Sequence, residues 1–171
     1  MPKAALFAAL TGLLMTVAAA GTSVADELAE PTGAVILTIS GAIDRTNFNA
    51  TAVFDRHMLE DLGTTTMTTT TTWTDGPQEF EGVLARDVLG AVGANGRSIA
   101  ASALDDYSTT IPLSDFDKYR VLFALKMNGV DLKPGDKGPI WIVYPRDDHE
   151  ELRNDEADAK WIWQLSKIGV Q

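Results

Sequence analysis

The chain has 171 residues, a formal net charge of -10 and no cysteine, and its sequence pI is 4.5. Such acidity repels phosphate backbones and anionic lipid heads, which argues against nucleic acid and lipid surfaces as partners and otherwise serves solubility. Without cysteine, disulfides and thiolate chemistry are excluded, and two histidines leave a short menu for nucleophilic catalysis.

Met1-Pro2-Lys3 gives a short positive start, and Ala4 to Gly21 is nearly all Ala, Leu, Val, Met and Phe, the pattern of an export signal. Ser23 and Ala25 supply the small residues that signal peptidase reads, so cleavage is expected after Ala25, with Asp26 opening the mature chain. An uncleaved membrane anchor is the competing reading. Against it, the apolar run of about 18 residues is short for a span and rich in Ala rather than Leu. The expected organisation is a signal peptide over 1–25, a flexible lead-in over 26–34 and one domain over 35–171, in a periplasmic protein. Loss of Lys3 takes the formal charge from -10 to -11. The remaining roughly 146 residues can bury a core of their own.

Val35 to Ile39 is β-branched and closed by Ser40-Gly41, a first strand. Asp55 to Leu62 carries Met58, Leu59 and Leu62 at helical spacing and stops at Gly63, a short helix. Thr64 to Thr72, interrupted by Met67, suits a strand, since threonine is β-branched. Trp73-Thr74-Asp75-Gly76-Pro77 is a loop, and a helix is expected from about Leu84 to Val92, ended by Gly93. Ile99 to Leu104 and Ser108 to Ile111 read as strands flanking Asp105-Asp106-Tyr107. A helical turn starts at Ser114-Asp115, and Asn128-Gly129 marks a hairpin between Val121–Met127 and Val130–Leu132. Ile140 to Tyr144 is a central strand and Pro145 to Asp158 a charged loop. Trp161 to Leu165 with Ile168 to Val170 alternates like a last strand, with Trp161 and Trp163 on one face and more readily core than ligand contacts.

From Phe80 onward the order of features resembles the oxidoreductase molybdopterin-binding domain of the sulfite oxidase superfamily. The features are Phe80-Glu81-Gly82-Val83-Leu84 before the Leu89 helix, Asp106-Tyr107, Ile111-Pro112-Leu113, Asn128-Gly129, Gly138-Pro139, Tyr144-Pro145 and Lys160-Trp161-Ile162-Trp163-Gln164-Leu165. The resemblance implies a mixed α+β fold of β-sheets with short helices. In the superfamily's enzymes a cysteine before this helix ligates molybdenum; here the comparable stretch, Thr68 to Trp73, offers threonines. A neutral hydroxyl does not replace a soft, charged thiolate, so sulfite-oxidase-type catalysis and bound molybdenum are not expected. Trp73 to Pro77, Tyr144 to His149 and Trp161 to Leu165 are also similar to a cysteine-less exported subgroup, periplasmic pterin-binding regulators. That resemblance implies a reduced pterin as ligand and a membrane diguanylate cyclase/phosphodiesterase as signalling partner; a histidine kinase is the other membrane sensor expected as a partner.

Binding a pterin requires an aromatic face, an acceptor for two adjacent N–H donors and a donor for a carbonyl. Trp73 and Asp75 could supply stacking face and carboxylate from one loop, or be a core tryptophan beside a turn-capping aspartate. Asp106 and Tyr107 reach a cleft at a strand end, or serve as turn aspartate and packed tyrosine. Arg146, Asp147, Asp148 and His149 form the densest mixed-charge cluster, in a loop after a central strand, where pockets are often lined. His149 with Asp147 and Asp148 lacks the spacing of a defined metal site, and His57 reads as structural or exposed. No catalytic residue stands out. The leading expectation is a ligand sensor for a pterin, molybdopterin included. The alternatives are a redox protein or accessory subunit holding molybdopterin without a cysteine ligand, and a degenerate domain kept for protein interaction.

Overall fold

In β1, Val35–Gly41, the alternation that marks the strand in sequence turns Leu37 and Ile39 into the core. The computed structural model describes residues 28–171, so the expected signal peptide over 1–25 and its cleavage point lie outside the described residues. β2, Ala52–Asp55, runs antiparallel to β1 and is wholly buried. Asp55 then caps α1, Arg56–Asp61, by accepting from the Met58 N–H at 2.9 Å. The expected helix over 55–62 is therefore a strand end plus a shorter helix. The threonine run gives β3, Thr64–Thr69, paired in register with β4, Gln78–Leu84. α2 spans Ala85–Ala91, with Ala85, Val88 and Leu89 buried. β5, Ser98–Ala103, and β6, Ser108–Pro112, form the expected hairpin around Asp105 to Tyr107. α3 is Leu113–Lys118.

β7, Leu122–Met127, turns at Asn128 and Gly129, both at positive φ, into β8, Val130–Asp131. β9, Trp141–Val143, pairs with the other end of the same β7 edge. The Pro145 to Asp158 stretch is not one loop: a 3-10 turn over Glu150–Leu152 precedes α4, Asp155–Asp158. The last strand, β10, is Leu165–Val170. It starts later than its sequence suggests, because Gln164 takes a left-handed φ of 54° and breaks the extended run. Trp161 and Trp163 consequently share no strand face: Trp161 is buried and Trp163 half-buried.

Two five-stranded sheets result, in the order β2-β1-β10-β5-β6 and β3-β4-β7-β8 with β9 on β7. Among the described residues only β1 and β10 pair in parallel, which brings the first and last strands of the domain together. α2 contacts β4 and α3, and α3 contacts β5 and β6, so these helices bridge the sheets. One continuous apolar core contains residues of both sheets, among them Leu37, Phe54, Phe80, Phe123 and Trp141. This is the expected mixed α+β architecture in a single domain.

Candidate functional site

The segment between β9 and β10 forms one wall of a cleft, and local hydrogen bonds explain its shape. The Asn154 side chain accepts from the Ala157 N–H at 3.0 Å and starts α4. The Trp161 N–H donates to the Asp158 carbonyl at 3.0 Å, and the Ile142 N–H donates to the Ile162 carbonyl at 2.8 Å, which fixes the tryptophan turn against β9. Behind it, Lys160 Nζ lies 2.9 Å from Asp115 Oδ2 on α3, with both side chains largely buried. The Tyr144 hydroxyl donates to the same oxygen at 3.0 Å. Burial, and then the charge of Asp115, push the Tyr144 hydroxyl far above its usual titration range, so it stays a neutral donor.

The opposite walls come from the Thr72-Trp73 loop and the β5–β6 turn. Together they enclose a cleft of 530 Å³, the size of a small-molecule site. Its apolar surface is Trp73, Tyr107, Trp161, Ile162 and Trp163, and its polar groups come from Thr72, Asp105, Asp155 and Asp158. Trp73 joins an aromatic cluster around Trp141, its ring centroid 5.8 Å from Trp161, 5.7 Å from Trp163 and 6.3 Å from Trp141, all edge-on or tilted. Trp73 and Tyr107 remain 38% and 54% exposed, so ring surface is left for a ligand.

Of the residues singled out in sequence, Trp73 and Tyr107 meet in this cleft. Asp106 does not line it: it occupies the left-handed turn position, φ 66°, and the neighbouring Asp105 takes the wall. Asp75 lies exposed outside the lining, in a loop held by Gln78 Nε2 donating to the Asp75 carbonyl at 2.7 Å. Arg146 stands behind the wall, its Nε 3.4 Å from Asp158 Oδ1.

Asp147 is a clasp. Its carboxylate accepts from the Thr70 N–H at 2.7 Å and from the Thr70 hydroxyl, while its own N–H donates to Thr69 Oγ1 at 3.2 Å. Partial burial opposes ionisation there, yet the Thr70 donors and the charges of Arg153 and Arg146 hold its carboxyl below the usual range. Asp148 is exposed, and His149 sets its ring edge-on to Tyr119 at 4.9 Å; neither lines the cleft. Asp155, Asp158, Trp161 and Trp163 are the lining residues that sequence reasoning passed over. For the two tryptophans the Trp-x-Trp spacing is a signal, which in sequence reads as strand alternation and core packing; for Asp155 and Asp158 the sequence offers none.

The donor set tests the cofactor that the fold family implies. No thiol exists in the chain, and the hydroxyls of Thr69, Thr70 and Thr71 are engaged with Asp147, Thr70 and Thr74. The residues present do not fit a thiolate-ligated molybdenum. Among the described residues no group of three His, Cys, Asp or Glu side chains converges as a metal site. A flat pterin-type ring does fit: aromatic faces and carboxylate acceptors line one cleft.

One mixed and one antiparallel sheet, bridged by short helices, form a sulfite oxidase-like molybdopterin-binding fold, as two comparisons show. The family model described as "Oxidoreductase molybdopterin binding domain" matches residues 37–148, and the chain belongs to that family. Among solved structures, the chain is similar to the sulfane dehydrogenase SoxCD from Paracoccus pantotrophus, with a TM-score of 0.58 and 19% identity over 78% of this chain. The match covers 37% of the SoxCD chain, so this chain spans little over a third of that protein's length, and the likeness is one of fold. No curated protein matches the chain.

Proposed function

We propose that the chain is a periplasmic binding protein for a pterin or related heterocycle, acting as a ligand sensor for a membrane partner of the diguanylate cyclase/phosphodiesterase or histidine kinase type. The observation that carries this reading is the cleft: open aromatic surface on Trp73, Tyr107 and Trp163 beside the carboxylates of Asp105, Asp155 and Asp158, in a chain with no thiol. Flat heterocycles with N–H donors match such walls.

Family membership favours a second reading, a redox protein or accessory subunit that holds molybdopterin without a cysteine ligand. Against it, the described lining has three carboxylates and neither lysine nor arginine, a poor match for the phosphate of molybdopterin. The test is protein isolated from the periplasm, titrated with a reduced pterin by tryptophan fluorescence and assayed for molybdenum. Saturable quenching without metal supports the sensor. Stoichiometric molybdenum supports the second reading, and a cleft that binds neither ligand leaves a domain kept for protein interaction. The signalling role is tested separately, by measuring cyclase or kinase output of the membrane partner with the protein, with and without pterin.

A further inference from the structure

We infer that the cleft takes a compact organic cation, a quaternary ammonium head such as that of choline, held by the faces of Trp73, Tyr107 and Trp163 and by the charge of Asp105 and Asp155. The inference concerns a second class of ligand and stands apart from the pterin reading. Ring geometry is the first observation. Trp73 meets Trp161 at an interplanar angle of 49° and Trp163 at 71°. These rings are the facets of a corner and not the two parallel walls of a slot. Trp73 and Trp163 are 38% and 36% exposed and Tyr107 is 54% exposed, so all three offer ring surface at the cleft. A flat ring lies on one such facet, whereas a rounded group touches several at once. The electron-rich faces of tryptophan and tyrosine attract a cation placed over them.

Charge is the second observation. The described lining holds Asp105, Asp155 and Asp158 and neither lysine nor arginine. Arg146 offsets Asp158 from behind the wall. Asp105 and Asp155 are exposed, and among the described residues neither makes an ion pair. The same aromatic cluster already holds one cation of the chain: Lys137 Nζ stands 5.9 Å from the Trp163 ring centroid and 5.8 Å from that of Trp141, outside the cleft lining.

The cleft carboxylates do not converge as ligands for a metal ion, and Asp105 Oδ1 is engaged by the Tyr107 N–H at 3.1 Å. A quaternary ammonium requires neither a ligand sphere nor a free acceptor. It has no N–H to donate, and its diffuse charge is stabilised by π faces and by carboxylates nearby.

The experiment uses a matched pair. Choline and 3,3-dimethylbutan-1-ol share one shape, the alcohol having carbon where choline has its charged nitrogen. Glycine betaine carries the same head on a carboxylate, which Asp105 and Asp155 repel. The full chain is titrated with each compound by tryptophan fluorescence, beside Tyr107→Phe, Tyr107→Leu and the double variant Asp105→Asn, Asp155→Asn. Asp61→Asn on α1 and Asp87→Asn on α2, both exposed and outside the cleft lining, remove the same charge elsewhere. Circular dichroism checks the folding of each variant.

The full chain is expected to bind choline about 5- to 30-fold more tightly than the alcohol, and betaine more weakly than choline. Tyr107→Leu should weaken choline binding about 2- to 5-fold while Tyr107→Phe keeps it. The double asparagine variant should weaken it about 3- to 10-fold, and Asp61→Asn and Asp87→Asn should leave it as it is. Equal binding of choline and the alcohol, betaine bound as tightly as choline, or no binding of any of the three overturns the inference. So does a double asparagine variant with the choline affinity of the wild-type chain. The pterin reading has its own titration, so each of these results leaves it standing.

Discussion

Trp73→Ala removes the ring at which Trp161, Trp163 and Trp141 meet, and the structure sets the size of the effect. With 38% of Trp73 exposed, on the order of 150 Å² of it is withdrawn from water. At about 25 cal/mol per Å² that transfer is roughly 4 kcal/mol, an upper value because the denatured chain already hides some surface. The ring sits on a cleft wall, where water and neighbouring side chains fill the space instead of leaving a void, so the expected loss is about 2–3 kcal/mol. Trp73→Phe keeps an aromatic face against the same partners and should cost about 1 kcal/mol. Urea denaturation followed by circular dichroism measures both. Pterin titration of the folded variants should show about 1–3 kcal/mol weaker binding for the alanine variant and a smaller change for phenylalanine. A stability loss under about 1 kcal/mol for Trp73→Ala at an unchanged denaturant slope would show that the ring is not packed on the cluster, and the geometry argued for the cleft would fall with it.

Asp55, almost fully buried, has its carboxyl held below the ordinary value by the N–H groups of Met58 and Gly33 and then of Thr32. A lowered folded value stabilises above the unfolded one of 3.8 and is lost as pH falls through it. Asp55→Asn should therefore lower stability at neutral pH and flatten its decline below about pH 4 in urea titrations. Asp147→Ala strips the Thr70 N–H and hydroxyl of their acceptor; a loss of about 1–2 kcal/mol and faster hydrogen exchange at the Thr70 amide are expected. Lys160→Met leaves Asp115 with only the Tyr144 hydroxyl and should cost about 2–4 kcal/mol by denaturation, part of it recovered in the double variant with Asp115→Asn. Mass spectrometry of exported protein should find Asp26 at the N-terminus, and a product retaining Leu6 to Ala20 would make the segment an anchor.

Local signals carried the strands and turns that depend on local chemistry. β1 shows in β-branched alternation, the β7–β8 hairpin in Asn128-Gly129, and the β5–β6 turn in Asp105 to Tyr107. What escaped depends on contacts distant in sequence. Ala52–Asp55 is four residues long and reads as the approach to a helix; only pairing with β1 makes it a strand. Gln78–Leu84 contains Gly82, which argues against a strand in isolation. There the glycine is required, because a Cβ would run into the Phe123 carbonyl of β7 beside the register shift between Glu81 and Gly82. The cleft was half legible. Trp73 and Tyr107 announce themselves as aromatics in punctuated loops. Asp158 reads only as the end of a charged loop, since nothing in sequence reports that Arg146, twelve positions earlier, faces it.

The threonine run has a structural task of its own in this fold. In the resembling enzymes the stretch before the Leu89 helix presents a thiolate to molybdenum; here the Thr69 hydroxyl and the Thr70 hydroxyl and N–H engage Asp147 and clasp the loop that follows β9. That loop leads through Arg146 to the cleft wall bearing Asp158 and the two tryptophans, so the clasp holds that wall in place. Hydroxyl-to-carboxylate bonds hold a position at modest cost but supply no redox ligand. A cysteine placed at one threonine would still leave three lining carboxylates against an anionic cofactor, so molybdopterin binding is expected to stay weak in such a variant, as titration with the cofactor would measure.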